Sequence, residues 1–178
     1  MDPALPLLRD KVVVLVGGAG LLGKAFGESL LQHGAELIVA DIDEARCRAT
    51  CDELAGKQDG ARVTAERVDI TSRDSLDALI GRVHARCGKI DTVVNNAYPR
   101  NKQYGRKLEQ VEYADFCDNI SLNLGGNFLS TQRFAEFFKR QAFGHVINIS
   151  SIYGNVAPRF EIYDGTPMTM PVEYAAIK

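Results

Sequence analysis

A chain of 178 residues with 21 Lys+Arg against 23 Asp+Glu carries a formal net charge of −2. Its 46% hydrophobic and 25% charged residues are the balance of one soluble globular domain over residues 1–178, and exclude collagenous, low-complexity and disordered chains. No apolar run reaches the ~18 residues of a membrane-spanning helix, and near-neutral charge excludes a nucleic-acid binder working by bulk electrostatics.

Short β-branched runs alternate with longer amphipathic stretches. Val12 to Val16 reads as a buried strand. A Gly-rich turn follows, then a helix from about Leu21 to His33, stopped by Gly34. Leu37 to Ala40 is the second strand, and Asp43 to Ala55 a helix with Asp43 as its cap. Arg62 to Val68 is the third strand. Thr71 or Ser72 caps the next helix, which runs to Cys87 and stops at Gly88. Thr92 to Val94 is strand four, followed by a polar loop over Ala97 to Lys107. A long helix from about Tyr113 to Arg140 has its expected break at Gly125-Gly126. His145 to Ile149 is strand five, Ser151 to Val172 is irregular, and a helix starts near Glu173. Strands buried on both faces and alternating with crossover helices predict a doubly wound parallel sheet in one α/β domain.

Four cysteines stand at 47, 51, 87 and 117 with no Cys-x-x-Cys spacing. Cys47 and Cys51 share a face of the second helix, a spacing open to a redox or metal pair but expected of small, partly buried residues. His33, His84 and His145 show no ligand spacing, so no metal is expected. The N-terminus lacks a basic stretch followed by a long apolar one, which excludes a signal peptide there. Both facts point to a reducing cytoplasm.

The turn Gly17-Gly18-Ala19-Gly20-Leu21-Leu22-Gly23 lies between the first strand and the first helix. Gly17 takes the tight turn, Gly20 lets backbone approach a phosphate, and Gly23 allows close helix–strand packing. The helix N-terminus then presents free N–H groups and a positive dipole end to a pyrophosphate. Asp41 ends the second strand, where a carboxylate accepts both ribose hydroxyls and repels a 2′-phosphate. That favours NAD over NADP, although Arg46 and Arg48 follow nearby. Asp69 is placed either to meet the adenine amino group or to serve the turn at Thr71-Ser72.

Asn95-Asn96-Ala97 closes strand four, Asn148-Ile149-Ser150-Ser151 closes strand five, and Tyr174 and Lys178 stand i, i+4 on one helix face. With the Gly turn and Asp41, these residues resemble the short-chain dehydrogenase/reductase family over nearly the whole chain. Within it, Asn95 to Asn101, Asn123 to Phe128 and the segment ending Met170-Pro171-Val172-Glu173-Tyr174 are most similar to oxidoreductases of flagellin modification and surface-sugar synthesis. The resemblance implies a Rossmann-like fold. It implies NAD contacts from Gly17, Gly20, Leu21, Leu22, Gly23, Asp41, Ile42, Asp69, Ile70, Asn96, Ala97, Tyr174 and Lys178. It also implies a catalytic set of Asn123, Ser151, Tyr174 and Lys178.

The chemistry follows from those groups. Tyr174 is the candidate acid/base, and a free phenol with a pKa of about 10 is too weak a base near neutral pH. The Lys178 ammonium and an oxidised nicotinamide would both favour its phenolate. Lys178 also reaches the nicotinamide ribose. A serine hydroxyl can polarise the substrate oxygen, and the resemblance implies Ser151, three residues before Gly154, over Ser150. It also implies that Asn123 would support a water linking Lys178 to solvent.

Two departures stand out. Val16 replaces the family's threonine, removing a hydroxyl that ties the Gly turn to strand four. The Gly-x-x-Gly-x-x-Gly spacing is closer to the branch that holds sugar-nucleotide epimerases and dehydratases. Tyr98 replaces the glycine after Asn-Asn-Ala, reshaping the pocket near the nicotinamide. Tyr98, Arg100, Ser151 and Arg159 are the candidate substrate contacts. Arg100, Lys102, Arg106 and Lys107 form either a phosphate-binding loop or a solvated surface. Tyr163, Met168 and Met170 either supply specificity or pack as a lid.

Three functions are compatible with this pattern. They are an NAD-dependent oxidoreductase of sugars, sugar phosphates or nucleotide sugars; an epimerase or dehydratase with tightly bound NAD; and a non-catalytic fragment or dinucleotide-binding module. The family fold continues past Lys178, so the resemblance implies a truncated portion of a larger reductase, missing its C-terminal part and forming a homodimer or homotetramer when complete.

Overall fold

The computed structural model describes residues 7–178. The segment from Met1 to Pro6, read above as no signal peptide, lies outside them. The elements are β1 (Val12–Val16), α1 (Leu21–Gln32), β2 (Glu36–Asp41), α2 (Glu44–Lys57), β3 (Arg62–Arg67), α3 (Arg73–Cys87), β4 (Thr92–Asn95), α4 (Tyr113–Ile120), α5 (Gly126–Gln141), β5 (His145–Asn148) and α6 (Val172–Ile177). Five strands pair in parallel in the order β3-β2-β1-β4-β5. This is a doubly wound, Rossmann-like sheet.

The strand pattern explains the layering. Every residue of β1 is buried, and successive side chains face opposite ways. Val12, Val14 and Val16 pack with Leu76, Leu79 and Val83 of α3 and Phe134, Phe137 and Phe138 of α5. Val13 and Leu15 pack on the other face with Leu31 of α1 and Cys47, Cys51 and Leu54 of α2. Each such large side chain contributes about 1.5–3 kcal/mol on burial.

Local chemistry sets the helix ends. Asp43 Oδ1 accepts from Arg46 N at 3.0 Å and starts α2. Of the two candidate caps for α3, Ser72 performs the task, its Oγ accepting from Ser75 N at 3.3 Å. Gly88 ends α3 with φ 74°, a left-handed conformation natural to glycine. The expected break at Gly125-Gly126 is absent as a break: Ser121–Gly125 forms one π-helical turn that joins α4 directly to α5. A Cβ at Gly126 would stand 2.8 Å from Ile70 Cδ1, so this glycine lets the helix pass close over β3's exit.

Strand register aligns the exits. Glu66, Ala40, Val16, Asn95 and Asn148 lie in one row across the sheet. The residues that follow, including Gly17, Asp41, Asn96 and Ile149, therefore emerge along one edge. The strand order reverses between β1 and β4, the position at which open α/β sheets form a ligand crevice.

Candidate active site

A cleft of about 540 Å³ opens at that edge. Gly17, Gly20, Leu21, Leu22, Asp41, Ile42, Asp69, Ile70, Asn96 and Ala97 line it, together with Tyr98 and Arg100. Val16 and Arg46, noted from sequence beside the turn and Asp41, also line it, as do Val68 and Pro99, for which the sequence carried no signal.

The three glycines have separate reasons. Gly17 has φ +76°, and a Cβ there would meet Ala97 N at 2.4 Å. At Gly20 the nearest atom to an added Cβ is Gly17 O at 3.5 Å, so the space beside this backbone is open to a ligand. Gly23 has the close-packing role expected of it: a Cβ there would lie 2.5 Å from Gly17 O and 2.6 Å from Gly18 O. It packs the helix against the turn and does not line the cleft. Leu21 is 93% exposed at the start of α1, an apolar side chain left uncovered beside the phosphate-binding type of turn. An open glycine, an uncovered apolar wall and a helix N-terminus fit a dinucleotide.

With valine at position 16, the turn is still tied to strand four. Asn96 Nδ2 donates to Gly17 O at 3.0 Å and Asn96 N donates to Val16 O at 2.9 Å, tying the turn to the end of β4. Asp41 Oδ1 accepts from Ile42 N at 2.8 Å, and its Oδ2 accepts from Ala19 N at 3.3 Å. Arg46 Nη2 donates to Ala19 O at 3.2 Å, so a cation shares the Asp41 end of the cleft. Arg48 instead pairs with Glu44 on the helix surface. Asp69 serves the turn: its Oδ1 accepts from Thr71 N at 2.9 Å and Thr71 Oγ1 at 2.7 Å.

Asn95, read from sequence as the residue closing strand four and given no site role there, is the buried hub of the second half. It is 3% exposed. Its Oδ1 accepts from Ser130 Oγ at 2.7 Å, and its Nδ2 donates to Asn148 Oδ1 at 2.8 Å and Thr131 Oγ1 at 3.2 Å. An asparagine ending an apolar strand was the only available signal.

Tyr174 and Lys178 reach the cleft through Tyr98. The Tyr98 and Tyr174 ring centroids are 5.6 Å apart, and Lys178 Nζ lies 5.2 Å from the Tyr98 ring and 6.0 Å from that of Tyr174. Lys178 Nζ donates to Ile149 O at 2.8 Å, and its burial holds the ammonium below the ordinary lysine range. Tyr153 packs against the far side of Tyr174 at 6.3 Å. Ser151 Oγ accepts from Tyr153 N at 3.3 Å, leaving its O–H to donate elsewhere. Ser150 Oγ donates to Lys178 O at 2.9 Å, which accounts for it as a structural serine.

Asn123 lies in the π-helical turn, almost fully buried. Its Nδ2 donates to Pro99 O at 3.3 Å and its Oδ1 accepts from Asn127 Nδ2 at 3.1 Å. It shares a second cavity of about 400 Å³ with Lys178, Ser150 and Asn127, roomy and polar enough for water. Glu173 is wholly buried; Asn119 Nδ2 donates to its Oε1 at 3.4 Å, and its Oε2 has no hydrogen-bond partner among the described residues.

The remaining expectations divide. Arg159 stands apart from both cavities: Glu161, two residues on, accepts from its Nε at 2.8 Å and holds it on an exposed segment. Arg100 lines the cleft, whereas Arg106 pairs with Asp115 and Lys102 and Lys107 are solvated. Met170 is buried as packing and Met168 is exposed. Desolvation pushes the Cys47 thiol up to about 12 and that of Cys51 to about 11, so both are packed thiols.

The fold and cleft define a Rossmann-like α/β protein with a cleft of the nucleotide-binding type. A family model described as short chain dehydrogenase matches residues 11–166. The chain is 37% identical over 173 residues to "Post-translational flagellin modification protein A" of Campylobacter coli, covering 97% of this chain and 67% of that one. It is 31% identical over 144 residues to "(2S)-[(R)-hydroxy(phenyl)methyl]succinyl-CoA dehydrogenase subunit BbsD" of Thauera aromatica, covering 81% and 56%. A solved short chain dehydrogenase from Mycobacterium smegmatis superposes with TM-score 0.81 at 27% identity, covering 97% and 67%. The chain thus spans 56% to 67% of the length of these proteins. It belongs to the short-chain dehydrogenases, a family of oxidoreductase enzymes.

Proposed function

We propose that the full-length protein is an NAD-dependent oxidoreductase acting on the CH–OH or carbonyl group of a sugar, sugar phosphate or nucleotide sugar. The observation that carries this reading is the contact of Tyr98, at the mouth of the glycine-turn cleft, with Tyr174, beneath Lys178. Gly17, Gly20 and the start of α1 would hold the pyrophosphate, and Asp41 the adenosine ribose. The Asp41 carboxylate supports NAD, since it would repel a 2′-phosphate. When bound, the nicotinamide supplies the hydride acceptor or donor.

The chain's own groups handle the oxygen and its proton. Ser151 donates a hydrogen bond to the substrate oxygen. In oxidation the carbinol C–H bond breaks with its electron pair leaving as hydride, and the O–H proton passes to the Tyr174 phenolate. In reduction the phenol returns that proton to the alkoxide oxygen. The Lys178 ammonium favours the phenolate by charge. Asn123 and the cavity it shares with Lys178 support a water path to solvent. Arg100, at the cleft and 5.5 Å over the Tyr104 ring, supports a phosphate-bearing substrate. Likeness to a flagellin modification protein supports a role in surface or flagellin glycan synthesis. Exposed Tyr113, Leu124 and Phe128 along the long helix support a homodimer or homotetramer of the full-length protein.

The test is Tyr174→Phe in the full-length protein, assayed for NADH formation on a panel of phosphorylated and nucleotide-linked sugars. Turnover should vanish while NAD binding survives. Unchanged turnover refutes the acid/base assignment. Stoichiometric retained NAD with no net NADH would instead favour the epimerase or dehydratase reading.

A further inference from the structure

Lys178 is poorly provided for as a charged group. It is partly buried, and among the described residues its one hydrogen bond from Nζ goes to a neutral carbonyl, Ile149 O. Beyond that carbonyl its charge faces an aromatic ring, that of Tyr98, whose centroid is 5.2 Å away. A ring face carries negative quadrupole density and attracts a cation, the more so away from water.

Tyr98 is itself fixed. Its hydroxyl lies 2.7 Å from that of Tyr104, and the two rings meet edge to face at 5.7 Å and 81°. Arg100 covers the Tyr104 ring from outside. Burial raises both phenols above the ordinary tyrosine range, so each stays a neutral ring and a neutral hydroxyl.

We infer that Tyr98 is a positioning residue whose ring, anchored by Tyr104, carries the Lys178 ammonium and keeps it charged beside Tyr174. The inference rests on the reading of Tyr174 and Lys178 as the acid/base pair. It assigns Tyr98 a task on the protein's own lysine, beyond shaping the substrate pocket. Of the titratable groups around the Lys178–Tyr174 pair, Tyr98 from the loop after β4 and Tyr153 from the segment after β5 lie against it, Tyr104 and Arg100 stack behind Tyr98, and Glu173 precedes Tyr174 on α6. Among these Tyr98 is the group whose ring lies against both members of the pair.

The experiment titrates Lys178 in the full-length protein carrying lysine labelled with ¹³C at Cε, its signal assigned by loss in Lys178→Arg. Tyr98→Leu removes the ring face and keeps the site apolar. The Lys178 midpoint should fall by about one unit, a tenfold change in the ammonium's favour lost. Tyr98→Phe keeps the ring and should hold the midpoint within about 0.3 units of wild type. An unchanged or raised midpoint in Tyr98→Leu overturns the inference, and so does a fall in Tyr98→Phe as large as that in Tyr98→Leu. If circular dichroism shows Tyr98→Leu unfolded, Tyr98→Met fills the space without a ring and is judged by the same shift. With a substrate in hand, the pH of half-maximal oxidation should rise in Tyr98→Leu while KM for NAD stays within about twofold. Failure of the titration removes the role of Tyr98 and leaves the acid/base pair intact. Retained turnover in Tyr174→Phe removes the pair and leaves the titration result standing.

Discussion

Gly17→Ala and Gly20→Ala make a matched pair in one turn with opposite expected effects. At Gly17 the new methyl meets Ala97 N at 2.4 Å, Ala97 Cα at 2.5 Å and Asn96 C at 2.8 Å, all of them backbone. It also sits at φ +76°, where an L side chain costs about 1–2 kcal/mol. Displacing the β4 exit adds an overpacking cost of about 1–3 kcal/mol. The sum, about 2–5 kcal/mol, is a large share of a typical stability of about 5–15 kcal/mol. At Gly20 the residue has φ −81° and the nearest atom is at 3.5 Å, so alanine fits. The weaker N-cap costs about 0.5 kcal/mol and is offset by reduced unfolded-chain entropy. Gly20→Ala should therefore unfold within about 0.5 kcal/mol of wild type, yet its methyl occupies the space open to a phosphate. NAD affinity should fall at least about tenfold. Urea denaturation followed by far-ultraviolet circular dichroism reads the stabilities, since the chain has no tryptophan, and isothermal calorimetry reads the binding. A stable Gly17→Ala, or a Gly20→Ala that binds NAD like wild type, refutes the reasoning.

Asn95→Ala should cost about 3 kcal/mol in urea, because Ser130, Thr131 and Asn148 lose their shared partner inside the protein. A loss under about 1 kcal/mol would show that these groups find other partners. The Cys47 thiol, ordinarily near 9.0, is pushed up to about 12 by burial on folding. A raised pKa means that its contribution to stability is complete below pH 9 and is lost as pH rises from 9 toward 12. Cys47→Ala should flatten the alkaline decline of stability relative to wild type, and parallel curves for the two proteins would contradict that sign.

Much of the site was legible because its logic is local. A glycine turn between a buried strand and a helix, an aspartate at the next strand's end and a Tyr-x-x-x-Lys helix each follow from neighbouring residues. The sequence shows which segments carry Gly23 and Arg159, while their neighbours in the structure, Gly18 O and Glu161, show the first packed on the turn and the second paired on an exposed segment. The π-helical turn could not be seen in a periodicity of 3.6, because the close approach of Gly126 to Ile70 is a contact between distant segments.

By itself, then, the amino-acid order determined the alternation of strands and helices, the parallel sheet, the glycine turn and the spacing of Tyr174 and Lys178. These depend on backbone preference and hydrophobic period, which act over a few residues. Only the tertiary structure decided that Asn96 ties the glycine turn to the end of β4, that Asn95 joins β4, β5 and α5, and that the Tyr98 ring lies against both Tyr174 and Lys178. Those relations join segments up to 80 positions apart, and no local pattern encodes them, because parallel strand register and helix packing alone bring them within reach.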